Sequence, residues 1–263
     1  GKSVFAANLA AALIAEMKTK TLLLDLDQNS CGDQNFITGL QPSKSIADLV
    51  QFSGSISTQT LQSFLGQSSA GLSYLAAVTQ PDQTLNVSFD GFKNKLYPLS
   101  QHFKYVVADL GSQLSDLQIS MIEHCSAIVL VTTPEVLVVN QTRRVMNELL
   151  TATVPQDLFQ VVLNRASRNA LDPRAVSQSL KRPLIGVIPQ DDVTAYGALQ
   201  RGAPFVFSQP QSKLTSSYHD IVRKLTGGIL QKLKAVQKPK PKVQNQNSSA
   251  ATSAPGSPKT SRP

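Results

Sequence analysis

A chain of 263 residues that is 41% hydrophobic and 16% charged can bury one sizeable core, or two small ones, and is not a disordered polymer. Its formal charge of +8 is unevenly placed: Lys238, Lys240, Lys242, Lys259 and Arg262 follow Lys234 with no acid among them, so the basic balance describes a tail as much as a domain. Two cysteines, Cys31 and Cys125, without CxxC spacing argue against a disulfide scaffold or a zinc module, and neither a signal peptide nor a run of about 18 apolar residues is present.

In chain order, residues 3–17 set Val4, Phe5, Leu9, Leu13, Ile14 and Met17 among alanines without Gly or Pro, which predicts a helix. The run 21–25 (TLLLD) reads as a strand buried on both faces. Between Pro42 and His102 the pattern loosens into Ser-, Gln- and Gly-rich sequence. There 45–52 (SIADLVQF), opened by a Ser N-cap, and 58–65 read as helices, and 71–77 (GLSYLAA) as a strand. The runs 105–110 (YVVADL), 127–132 (AIVLVT), 159–164 (FQVVLN) and 184–188 (LIGVI) are apolar and β-branched. Helical stretches at 115–123, 136–150 and 175–180 separate them. Strands alternating with helices predict an α/β fold, a mostly parallel doubly wound sheet with helices on both faces. Residues 214–225 read as the last helix, and after Gly227-Gly228 the stretch 229–238 has the length for two or three further turns. From Pro239 on, Pro, Ser, Asn, Gln and Lys dominate without an apolar repeat. The expected division is a domain over 1–234 and a disordered basic tail over 235–263.

The chemistry begins at Gly1-Lys2-Ser3, which has the form of the last three positions of the phosphate-binding loop GxxxxGK[ST]. A helix starting at Ser3 presents free N–H groups and a positive dipole end to a phosphate. Gly1 lets the backbone approach, Lys2 supplies a point charge and Ser3 a hydroxyl for Mg²⁺. Such a site also needs carboxylates at strand C-terminal ends, and two strands supply them: 21–25 leads into Asp25-Leu26-Asp27, and 105–110 contains Asp109. An Asp after an apolar strand is by itself equally a turn or helix cap; the coincidence with Gly1-Lys2-Ser3 favours the site.

The ordered segments GKSVFAANLAAALIAE, TLLLDLDQNSCGD, YVVADLGSQLSD, VTTPEVLVVNQTRRVMNEL, VVLNR and IGVIPQDDVTAYGALQRGAPF resemble the MinD/ParA family of deviant Walker-A P-loop ATPases (SIMIBI type) along 1–207. The LDLDxxxxxGD form at 24–33 and the sequence after it look most like the CpaE/TadZ branch, associated with assembly and polar placement of Flp/Tad-type pili. The resemblance implies ATP and Mg²⁺ as ligands. It makes Lys2 and Ser3 the loop lysine and Mg²⁺ hydroxyl, Asn8 an Asn common in the first helix, and Asp27 the carboxylate that orients the attacking water. Asp109 becomes the Walker B acid, Asn164 the adenine-contacting amide, and Pro189 part of a loop on the adenine, although Pro189 fits a turn proline as well. It further implies that the first strand, most of the loop and the family's signature lysine lie before Gly1, so that the chain is expected to be a fragment that binds nucleotide poorly. Where the family commonly has Pro-Pro-Gly after the Walker B acid, this chain has Gly111-Ser112-Gln113, which bears on hydrolysis.

His102, His124 and His219 have no ligand-like sequence partners, and Arg143-Arg144, with Glu148 one turn on, reads as a solvated face. Ile229, Leu230, Leu233 and Val236 can share one helix face flanked by lysines, a short membrane-surface or partner-docking element at 229–238. The absence of aromatic interleaving among the tail lysines argues against nucleic acid. The expected protein is a cytoplasmic ATP switch, peripheral at the inner membrane or cell pole. It closes as a homodimer and works with pilus or secretion-apparatus proteins. A MinD- or FlhG-like membrane-cycling ATPase and a non-hydrolysing interaction protein are the alternatives.

Overall fold

The computed structural model describes residues 1–80, 83, 85 and 87–236. The alanine-rich start forms helix α1 (Lys2–Met17), closed by Lys18 in the left-handed region, and leads into strand β1 (Thr21–Asp25), buried along its whole length. Helix α2 (Asp33–Thr38) follows, then α3 (Ile46–Gln51), started by the expected Ser45 in a capping box with Asp48. Next come α4 (Thr58–Gln62), β2 (Gly66–Gln67), β3 (Leu72–Leu75), α5 (Phe89–Ser100) and β4 (Tyr105–Asp109). The second half alternates α6 (Asp116–Ile122), β5 (Ile128–Thr132), α7 (Val136–Thr151), β6 (Phe159–Ala166), α8 (Pro173–Leu180) and β7 (Leu184–Pro189), and ends in α9 (Asp192–Gln200), α10 (Phe205–Ser208) and α11 (Lys213–Val236).

The strands form two hydrogen-bonded sheets, β2-β3-β1-β4 and β5-β6-β7, parallel except for the short antiparallel β2. The α/β class and parallel pairing are as the alternation predicts; the sheet is in two pieces. β4 and β5 each form an edge of their sheet, and their middle residues are only half-buried, unlike those of β1.

Helix α1 bridges the two pieces, and its composition explains how. Ala6, Ala7 and Ala10 let it pack close over Leu23, Leu72 and Tyr74 of the first sheet, while Phe5, Leu9 and Leu13 reach Val162, Ile188, Ile221 and Val222 on the side of β6, β7 and α11. Helices α3, α5 and α6 cover the opposite face of the first sheet with Ile46, Leu49, Phe92, Leu99 and Met121. Val139, Met146, Leu149 and Val176 of α7 and α8 do the same for the second. Leu22, Leu23 and Leu24 have no exposed surface, each burial contributing roughly 1.5–3 kcal/mol relative to exposure.

Three expectations are corrected. The helix expected over 58–65 stops at Gln62, and the strand over 71–77 is confined to Leu72–Leu75. The last helix does not divide at Gly227-Gly228 but runs unbroken to Val236. Residues 237–263, with the tail and the end of the 229–238 stretch, lie outside the described residues.

Candidate functional site

Parallel strands place all their C-terminal ends on one side of a sheet, and the predicted residues gather there. Asp25 and Asp109 end β1 and β4 as register partners, and the Leu26 N–H donates to the Asp109 carbonyl at 2.8 Å, so Asp27 emerges beside Asp109. All three carboxylates are buried, and none joins an ion pair among the described residues. Burying uncompensated carboxylates is costly unless donors or a cation meet them. Backbone donors meet some of that need. Asp25 accepts from the Asp27 N–H at 3.2 Å and the Gly32 N–H at 3.3 Å, bracing both ends of the loop between them. Asp27 Oδ1 accepts from Asn29 N–H at 2.9 Å and Ser30 N–H at 3.3 Å. Burial, reinforced by the neighbouring Asp109 charge, lifts the Asp25 carboxyl to about 7.

Gln34, at the start of α2, ties these groups to α1. Its side-chain nitrogen donates to the Ser3 carbonyl at 2.9 Å and to Asp109 Oδ2 at 2.9 Å, so the two lie within two hydrogen-bond lengths of each other. The N-terminus of α1 carries no side-chain cap, leaving its first N–H groups for an incoming anion, and Lys2 is exposed. Gly111, in the left-handed region, donates to Asp109 Oδ1 at 3.2 Å, and a Cβ there would run into the Asp27 carboxylate. The departure noted after Asp109 is thus the residue on which Asp27 rests.

The remaining two predicted residues lie across the second sheet. A Cβ on Gly1 would meet Asn164 Nδ2 at 3.0 Å, which places Asn164 against the start of α1. Two residues on, Ala166 pairs with Pro189, and the Gln190 N–H donates to the Ala166 carbonyl at 3.0 Å. Pro189 then forms one wall of an open groove of about 610 Å³ that Ser167, Gln190, Asp191, Asp192 and Lys213 also line. Arg165, between Asn164 and Ala166, reaches Asp192 at 3.6 Å. Asn164 therefore lies against Gly1, on the strand that leads to Ser167 in the groove wall, and Lys2, Ser3, Asp27 and Asp109 form a second group at the start of α1. Asn8 stands apart: its amide bonds the Val4 carbonyl at 2.9 Å and receives the Val206 N–H at 3.2 Å, pinning α10 to α1.

No group of three His, Cys, Asp or Glu side chains among the described residues is arranged to hold a metal alone. The donor set nevertheless fits Mg²⁺, which takes one or two carboxylates and keeps waters and phosphate oxygens for its other positions. Gln34 Oε1, buried without a donor and part of the amide bonded to Asp109, fits a site completed by something further. His102 bonds around Thr58 and Ile56, and His219 Nδ1 lies 3.0 Å from Glu16, all away from the site. Arg143 and Arg144 are exposed on α7, as expected for a solvated face. Among the described residues no helix is long and apolar enough to cross a membrane.

Comparison with known proteins decides the family. Residues 1–202 match the CobQ/CobB/MinD/ParA nucleotide binding domain. The chain belongs to that family. A curated relative, the septum site-determining protein MinD of Bacillus subtilis, is 25% identical over 86% of this chain and 85% of its own length. Among solved structures, a ParA family ATPase from Chlorobium tepidum superposes with a TM-score of 0.73 at 22% identity, covering 85% of this chain and 92% of that one. MinD from Pyrococcus horikoshii, complexed with Mg-ADP, gives 0.71 at 22% identity over 86% and 90%. The MinD/ParA resemblance read from the motifs is thus the right family, and the solved structures share its fold.

The residues that motif reading passed over are Gln34, Arg165 and the bracing role of Asp25. Asp25 was visible as the first acid of DLD but without a role, because its two donors are set by loop geometry. Gln34 carries no sequence signal: its partners at Ser3 and Asp109 are distant in sequence and meet only through sheet register.

Proposed function

We propose that the protein is a Mg²⁺- and ATP-dependent switch ATPase. Its ATP-bound form dimerises and serves the assembly or polar placement of a Flp/Tad-type pilus or secretion apparatus. The observation that carries the nucleotide reading is the gathering of Lys2, Ser3, Asp27 and Asp109 at the uncapped start of α1, beside Asn164 and the groove at Pro189. Lys2 and the first N–H groups of α1 bind the phosphates, Asn164 and Pro189 flank the base, and Asp27, fixed by two backbone donors and Gly111, orients the attacking water. The Ser3 hydroxyl and Asp109 would hold Mg²⁺, which would supply positive charge against the phosphates. Exposed apolar residues support a nucleotide-dependent partner surface: Phe36, Val136, Leu137 and Val193 sit on α2, α7 and α9, which begin at the same strand ends as the site. The useful output is then location or assembly. The pilus assignment rests on the CpaE/TadZ-like segments at 24–33 and beyond.

A second reading, a MinD-like membrane-cycling ATPase, is favoured by the similarity to Bacillus subtilis MinD and by α11, which carries on as helix into the 229–238 stretch. Two assays separate these readings. Phosphate release by the full-length protein with Mg-ATP is expected to fall about 100-fold or more in Asp27→Ala while nucleotide affinity changes little. No turnover in the wild type would instead favour a non-hydrolysing interaction protein. Flotation with anionic vesicles, dependent on ATP and lost on removing 229–263, would favour the MinD-like cycle over the pilus role.

A further inference from the structure

We infer that Gln34 is a positioning residue for Asp109 and sets how much Mg²⁺ the site requires. The inference rests on the reading of this site as one for Mg²⁺-nucleotide. Gln34 has no exposed surface, and it stands at the start of α2, on the segment that also carries Asp27. Its nitrogen has two protons and two acceptors, the Ser3 carbonyl and Asp109 Oδ2, each at 2.9 Å. Because both neighbours only accept, the orientation of the amide follows from its chemistry. The other oxygen of Asp109 takes the Gly111 N–H at 3.2 Å. The carboxylate is therefore held from both sides, by α2 and by the loop after β4, and Gln34 is the side chain that also fixes its distance from the start of α1.

A packing role alone does not account for this arrangement. Gln34 Oε1 is buried with no donor, an expense an apolar side chain of similar length would avoid. Gln34 thus has its two protons committed to protein acceptors, and its unpaired oxygen is the cost of holding the amide in that orientation. Side chains that orient a metal-holding carboxylate typically change metal affinity by about 10–100-fold when removed.

The test titrates N-methylanthraniloyl-ADP onto the full-length protein, in EDTA and across Mg²⁺ concentrations, for the wild type, Asp109→Asn and Gln34→Met, which keeps the side-chain length without the amide. The expected result for Gln34→Met is an affinity in EDTA within about threefold of wild type, with a Mg²⁺ half-saturation raised about tenfold or more. Asp109→Asn should shift the same way. Should the Met variant melt below the assay temperature, Gln34→Asn, whose amide is withdrawn by one methylene, carries the same expectation. A Mg²⁺ half-saturation within twofold of wild type, or an equal loss of affinity with and without Mg²⁺, overturns the inference while the wild-type response and the Asp109→Asn shift keep the site itself. Absence of any probe binding by the wild type sinks the nucleotide reading and the inference with it.

Discussion

Asp25 shows how the site stores free energy in a single residue. Its carboxyl is raised to about 7 mainly by burial, against the pull of the Asp27 and Gly32 N–H groups. A folded-state value above the ordinary 3.8 means that the folded protein keeps a proton the unfolded chain releases. The stabilisation linked to that proton is complete below about pH 4 and is lost as pH rises to about 7, with a magnitude on the order of 4 kcal/mol. Asp25→Asn removes the titration. In metal-free buffer, the urea-unfolding free energy of the wild type should therefore fall relative to the variant between pH 4.5 and 8. A difference that stays constant with pH would show that Asp25 is not held neutral.

Among the elements, α11 carries an unforced cost. Gly227 lies in the middle of a continuous helix, and a Cβ there would meet nothing within 4 Å. Gly227→Ala should therefore stabilise the protein by about 0.5–1 kcal/mol, read as a raised unfolding midpoint in urea. Destabilisation would mean that the glycine serves a contact or a bend. The sequence suggested a break there because paired glycines punctuate isolated helices; in the fold, Tyr218, Ile221 and Val222 anchor the preceding turns strongly enough to carry the helix through. Other elements were legible or hidden for similar reasons. α1, β1 and β4 to β7 have dense apolar patterns and stood out. α5 was hidden by Gly91 and Pro98 within it, and α9 by apolar residues that face outward, Val193 and Tyr196 being 87% and 60% exposed. α2 is a six-residue helix embedded in the loop from Asp27, too short for a period to register.

At the scale of the molecule, two sheets share one helix. α1 supplies small residues to the first sheet and large ones to the second, so its N-terminus is fixed relative to β1 and β4 on one side and to β6 and β7 on the other. That placement explains why Lys2, Ser3, Asp27 and Asp109 were legible as candidates, since each lies at or just beyond the end of a strongly patterned element whose direction follows from parallel pairing, whereas Asn164 was named only through the family resemblance. Gln34 and the groove at Pro189 could not be derived that way, since they depend on register and loop path. The exposed apolar residues of α2, α7 and α9 also become meaningful only here, as elements rising from the same strand ends.

The central claim is that the start of α1 is the phosphate end of a nucleotide site, and calorimetric titration of Mg-ATP into the full-length protein, beside Lys2→Ala, tests it most directly. The account predicts one saturable site in the wild type and at least about a tenfold loss of affinity in the variant, the scale of a charge-assisted contact to phosphate. Equal affinity in the two proteins, or no binding by the wild type, would contradict it.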